Sequence, residues 1–231
     1  MDVYEAIEKR RTVRIFKKGA TEEQLRRMIL AGSKAPSAGN RQPWEFIIID
    51  DQKIIEQLAE IKYQLNRTFT PGSDATEKDV EDRAFNQKRW FKNASVVAVC
   101  TRLEQSANGW LAVENMSLAA VAEGLGSNII SYWDEAKKAV ETLICLPGDY
   151  ELTCVLKFGV SGEEGRPMKR RPEFSWLHKN KFRYFSLTKV EGQDRVRAHV
   201  FGYMVNTARW ILGLRMLWLH QPVGQTLTGF K

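Results

Sequence analysis

ELTCVLKFGV, residues 151–160, is the stretch on which the fold turns. Ten mostly apolar residues, rich in β-branched and aromatic types and closed by glycine and valine, read as a strand. Upstream of it, 134–143 reads as a helix and NIISYW (128–133) as the segment leading into it. Gly124 and Gly126 stop a helix running from Trp110 to Leu125, which is apolar on more than one face and so belongs at a centre or a subunit interface. SVVAVC (95–100) reads as a second core strand and Trp44 to Ile49 as a further buried one. QKIIEQLAEIKYQL (52–65) has the spacing of an amphipathic helix, and TPGSDATEKD (70–79) that of a mobile polar loop. Thr21, Glu22, Glu23 and Gln24 form a capping-box pattern, with Leu25, Met28, Ile29 and Gly32 as the buried stripe behind it. Residues 2–9 place Val3, Ala6 and Ile7 on one helical face. Strands alternating with helices make a layered α/β or α+β domain.

The chain of 231 residues, 43% hydrophobic and with seven tryptophans, can build a sizeable core and argues against global disorder. Its formal charge of +7 suits a phosphate-bearing ligand or nucleic acid and selects neither. Of three cysteines, Cys100 and Cys154 sit inside apolar runs and are expected as buried thiols in a reducing compartment. Charge runs through Met1 to Lys18, so no signal peptide is expected, and the apolar stretches are too short for a membrane span. A cytoplasmic protein with no membrane partner is the expectation. His178, His199 and His220 are scattered, and no Cys/His spacing suits a metal.

Three polar clusters carry the chemistry. In RRTVRIFKK (10–18), an extended chain turns Arg10, Thr12 and Arg14 to the same side, where guanidinium forks and a hydroxyl complement a phosphate monoester. PSAGNRQPW (36–44) surrounds Ser37, Asn40 and Gln42, mixed donors and acceptors, with Pro36 and Gly39. GRPMKRRPEF (165–174) is a second basic cluster. Taken singly, each also reads as a solvated charge cluster or an ordinary turn.

The ordered set RRTVRIF (10–16), APSAGNRQPWEF (35–46), ENMSLAAVAEGLGSN (114–128) and GRPMKRRPEFSWLHKNKF (165–182) resembles the FMN-dependent nitroreductase superfamily, over roughly residues 2–182. The resemblance implies an α+β sandwich with a central, mostly antiparallel sheet flanked by helices, in a domain-swapped homodimer that holds FMN at its interface. It implies ping-pong hydride transfer from NADH or NADPH, through flavin N5, to nitroaromatics, quinones or similar small acceptors. Carried over, Arg10, Arg11, Thr12 and Arg14 would hold the ribityl phosphate and pyrimidine edge, and Lys169 and Arg171 would complete the phosphate grip. Pro36, Ser37, Ala38, Asn40 and Gln42 would line the flavin from the partner subunit. Asn86 and Arg89 match positions that touch the flavin ring in some members. Ser131 and Tyr132 fall where a backbone N–H meets N5, the one catalytic contact expected.

Residues 1–186 therefore read as the FMN-binding domain, and 187–231 as a helical extension that departs from the family pattern. The extension carries six Lys/Arg and two Asp/Glu. It reads as an arm or helix pair packed on a partner subunit; DRVRAHVF (194–201) also resembles the end of some insertion-sequence transposases, which leaves a fused tail open. Relatives on the same fold that fragment flavin or remove halogen use extra lid residues, and 64–90 could form such a lid. A basic nucleic-acid binder is the reading from another class, disfavoured because the basic residues form no continuous stripe.

Overall fold

The computed structural model describes residues 1–68, 76–164, 170–171 and 175–182. They fall into two compact units, one made of 1–68 with 76–164 and one of 170–171 with 175–182. The sequence-predicted boundary at 186/187 and the whole extension lie outside the described residues.

The larger unit runs α1 (Val3–Lys9), β1 (Phe16–Gly19), α2 (Glu22–Gly32), β2 (Trp44–Ile49), α3 (Gln52–Thr68), α4 (Glu77–Arg89), β3 (Ser95–Arg102), α5 (Ser106–Ala122), β4 (Gly126–Ile130), α6 (Asp134–Leu143) and β5 (Tyr150–Ser161), with a single 3-10 turn at Ala38–Asn40. The strand formed by ELTCVLKFGV is the hub. β5 pairs antiparallel with β1, β3 and β4, and β3 pairs antiparallel with β2, giving the order β1-β5-β3-β2 with β4 branching from β5. This antiparallel pairing decides for α+β against the α/β alternative. Among the described residues the single parallel contact is an isolated bridge between Thr12 and Ser127.

The run SVVAVC lacks polar alternation because both faces of β3 are covered. Val96, Ala98 and Cys100 enter one core with Leu58 of α3 and Val140 of α6. Val97 and Val99 enter the other with Met28 of α2 and Val113 and Met116 of α5. Each fully buried valine contributes on the order of 1.5–3 kcal/mol relative to an exposed one. Cys100 and Cys154 are buried free thiols, as expected, and burial pushes Cys100 up to about 12 and Cys154 up as well.

Helix α2 begins as the sequence predicts. The Thr21 hydroxyl accepts from the Gln24 N–H, and the Gln24 side chain accepts from the Thr21 N–H. Helix α5 ends where Gly124, at φ 72°, turns left-handed and lets Leu125 N–H reach the Ala120 carbonyl.

Three readings are corrected. Phe16–Gly19, read only as part of a basic knot, is a strand along β5. The predicted loop 70–79 ends early: Thr76 caps α4 through a second reciprocal pair with Asp79, so Glu77–Asp79 are helical, while 69–75 lie outside the described residues. β2 is an edge strand rather than a fully buried one, leaving Glu45 and Ile48 exposed. Helix α1 forms as the spacing of 2–9 predicts; of its residues only Ala6 is buried, and Val3, Tyr4 and Ile7 are exposed.

Candidate functional site

The segment linking α1 to β1 is held in place from both ends. Arg10 caps α1 through its N–H to the Ala6 carbonyl, and its half-buried side chain reaches Glu114 of α5 at 4.0 Å. Arg11 folds its guanidinium back onto the Glu8 and Arg10 carbonyls, satisfying the open end of the helix. Val13 turns inward and donates its N–H to the Ser127 carbonyl at 2.9 Å, while Thr12 faces solvent. Gly126 makes this close approach feasible, because a methyl group there would overlap Val13. The Arg14 and Ile15 N–H groups both donate to the Glu163 carboxylate, just past β5.

Pinned in this way, Arg14 lays its guanidinium over the Trp90 ring, 5.5 Å from the centroid. Trp90 caps the C-terminus of α4. Arg14 and Trp90 both line a cavity of about 230 Å³, together with Ile15, Phe16, Asn86, Arg89, Lys92 and Asn93. Three sequence-predicted residues, Arg14, Asn86 and Arg89, thus converge from distant parts of the chain. Three cationic side chains and two amides line the space, and among the described residues no carboxylate does. Amide and guanidinium donors of this kind complement an anion or the carbonyl edge of a flat heterocycle, so the residues present fit part of an FMN molecule. A broader groove of about 1090 Å³ lies between α3 and the end of α4 and shares Arg89, Lys92 and Asn93 with the first. There Lys88 is already paired with Glu60 at 2.6 Å.

Pro36, Ser37, Ala38, Asn40 and Gln42 form a separate turn that lines neither cavity. Its shape is built locally: Gly39, Asn40 and Gln42 have φ of 58°, 52° and 48°, and the Gln42 N–H donates to the Ser37 hydroxyl at 3.0 Å. The three left-handed residues hold the turn outward, with Ala38, Asn40 and Gln42 exposed.

Ser131 and Tyr132 follow β4. The Ser131 carbonyl accepts from the buried Lys62 ammonium at 2.9 Å, and Lys62 also rests 4.5 Å from the Trp133 ring. Burial lowers Lys62 to about 8. The Tyr132 side chain is committed to the core, its hydroxyl donating to the Leu58 carbonyl at 3.0 Å. Only the backbone at this position is open to a ligand role.

In the smaller unit, the exposed Arg171 offers its carbonyl to the Trp176 indole N–H at 3.1 Å, and the His178 and Phe182 rings stack at 4.4 Å. Lys169 lies outside the described residues, as do His199 and His220.

Sequence reasoning missed Trp90, Glu163 and Lys157. Lys157 is fully buried at the centre of β5, where its ammonium donates to the Trp90 carbonyl at 2.5 Å beneath the cavity wall. The signal was present: a lone charge inside the apolar run LTCVLKFGV. Glu163 gave none, since its role depends on where β5 ends.

A curled antiparallel sheet flanked by helices, with a cationic cavity at the end of one helix, defines an α+β ligand-binding domain. The nitroreductase family profile matches residues 7–160. An iodotyrosine deiodinase of Thermotoga neapolitana is 30% identical over 164 residues, covering 68% of this chain and 87% of that protein. An NADH dehydrogenase of Thermus thermophilus is 25% identical, covering 74% and 93%. Among solved structures, an oxidised iodotyrosine deiodinase bound to FMN and 3-iodo-L-tyrosine superimposes with a TM-score of 0.62 at 27% identity, covering 80% of this chain and all of that one. The chain belongs to the nitroreductase family.

Proposed function

We propose that the protein is an FMN-dependent oxidoreductase that passes electrons from NADH or NADPH to small organic acceptors such as nitroaromatics and quinones. The observation that carries this reading is the convergence of Arg14, Asn86 and Arg89 on one cationic cavity. FMN, when bound, supplies two-electron redox chemistry. The chain's own residues bind and orient. Arg14, held flat by Trp90 and fixed at its backbone by Glu163, presents donors to the ligand without further ordering. Asn86 and Arg89 add donors from the last turn of α4, Arg10 adds a further cation on the 10–14 segment, and Thr12 adds a hydroxyl. The backbone N–H groups of Ser131 and Tyr132 are assigned to the reacting edge of the ring, where a donor stabilises developing negative charge.

The cavity holds only part of such a cofactor, which favours a homodimer in which the Pro36–Gln42 turn of a second copy covers the rest. The exposed apolar residues of α1 (Val3, Tyr4 and Ile7) and of α5 (Trp110 and Leu111) suit such a contact.

A second reading, reductive removal of halogen from an aromatic ring on the same cofactor, is favoured by the 30% identity to the deiodinase. One experiment separates the two. Purified protein reconstituted with FMN is mixed anaerobically with NADH or NADPH, then with nitro compounds, quinones or halophenols. Bleaching of the flavin by the nicotinamide and its recovery with nitro compounds or quinones is the expected result. Recovery with halophenols alone, or reduction only by dithionite, favours dehalogenation. Failure to retain FMN overturns both.

A further inference from the structure

Lys157 is an expensive residue in its place. The β5 neighbours on either side are Leu156 and Phe158, the cross-strand partners are Val96 of β3 and Asn128 of β4, and the side chain is 0% exposed. Its ammonium lies 4.8 Å from the Phe91 ring centroid and 5.6 Å from that of Phe16. Among the described residues no carboxylate comes within ion-pair distance of it. The charged groups in electrostatic reach are Arg14, which opposes its charge, and Glu163, which favours it; burial and Arg14 prevail and lower Lys157 to about 7. Leucine or methionine would fill the same space without the desolvation cost of a charge.

Two of the contacts of Lys157, with Trp90 and Phe16, lead to the cavity. Its hydrogen bond fixes the Trp90 carbonyl, the Trp90 ring carries Arg14, and Phe16, against which the ammonium rests, lines the cavity beside both. We propose that Lys157 is a positioning residue for the anionic ligand of this cavity, holding Trp90 and its Arg14 stack from behind and taking up a proton as the ligand's negative charge arrives. The inference rests on the FMN reading of the site. An anion among Arg14, Arg89 and Lys92 offsets the repulsion that Arg14 exerts on Lys157, so binding favours the charged amine. By linkage, the charged amine favours binding by the same factor.

The test is FMN affinity, followed by quenching of flavin fluorescence between about pH 6 and pH 9 in the parent, Lys157→Met and Lys157→Gln. Glutamine keeps a donor for the Trp90 carbonyl and removes the titration, and it serves where the methionine variant does not fold. The parent is expected to lose affinity about tenfold more than the variants across this range. Variants that keep the parent's pH profile overturn the proposal, even if their affinity falls uniformly, because a purely structural role predicts that result. A parent that binds no FMN at any pH instead removes the flavin reading beneath it.

Discussion

The Arg14 guanidinium lies 5.5 Å from the Trp90 ring centroid, and the Trp90 carbonyl accepts the ammonium of Lys157. One tryptophan thus couples a half-buried cation to a sealed one across the wall of the cavity. The ring restricts the arginine's rotamers, and the buried lysine fixes the backbone that carries the ring. The binding surface is therefore ordered before a ligand arrives, which lowers the entropic cost of binding.

Replacing Arg14 or Arg89 by alanine removes a charged donor from the cavity. Each substitution is expected to weaken FMN binding by about 1.5–3 kcal/mol, roughly tenfold to a hundredfold in Kd. Fluorescence titration of the apoprotein measures this; affinities equal to the parent's would detach these residues from the cofactor.

Gly126→Ala places a methyl group against Val13. Relieving the overlap must move the segment that carries Thr12 and Arg14, at a cost of about 1–3 kcal/mol. Chemical denaturation should show that loss, and FMN affinity should fall with it although residue 126 lines neither cavity. Unchanged stability would mean that the close approach is absent in solution.

The buried Lys157 makes stability depend on pH in a defined direction. Its folded value is about 7, against about 10.4 for an unfolded lysine, so between the two the unfolded chain binds more protons. Stability therefore rises with pH across this window, and below it the penalty is complete. Relative to the parent, Lys157→Met is expected to be more stable by a few kcal/mol near neutrality, with the difference shrinking toward pH of about 10. Urea melts at several pH values test this; a constant difference would show that the amine does not titrate in that window.

Ile7→Asp and Tyr4→Asp put charge on the exposed apolar face of α1. If a second copy covers that face, each should raise the dimer dissociation constant by at least about tenfold. Sedimentation velocity over a dilution series reads the change directly, and a parent that sediments as a monomer would remove the shared-site reading.

Much of the fold was legible along the chain because its signals are local. The reciprocal cap at Thr21 and Gln24 and the helix over 134–143 are set by residues a few positions apart, and the structure reproduces both. The second cap, Thr76 with Asp79, was equally local and was hidden only by the polar composition around it. β1 was not legible. Four residues with two lysines become a strand only because β5 supplies partners and Gly159 lets them approach.

For the site, the linear chain settled which residue types were available: the arginines of the 10–14 segment, the amide and guanidinium at the end of α4, and a lone lysine in an apolar strand. It could not say which of them meet. Arg14 reaches Asn86 and Arg89 because Glu163, just past β5, fixes its backbone, and because Trp90 at the end of α4 offers its ring as a platform. These contacts join positions far apart in the chain, and no local preference encodes them. Whether Lys157 was a surface or a buried charge was likewise decided by the sheet. A strand with neighbours on both edges and helices on both faces leaves its central side chain no path to water.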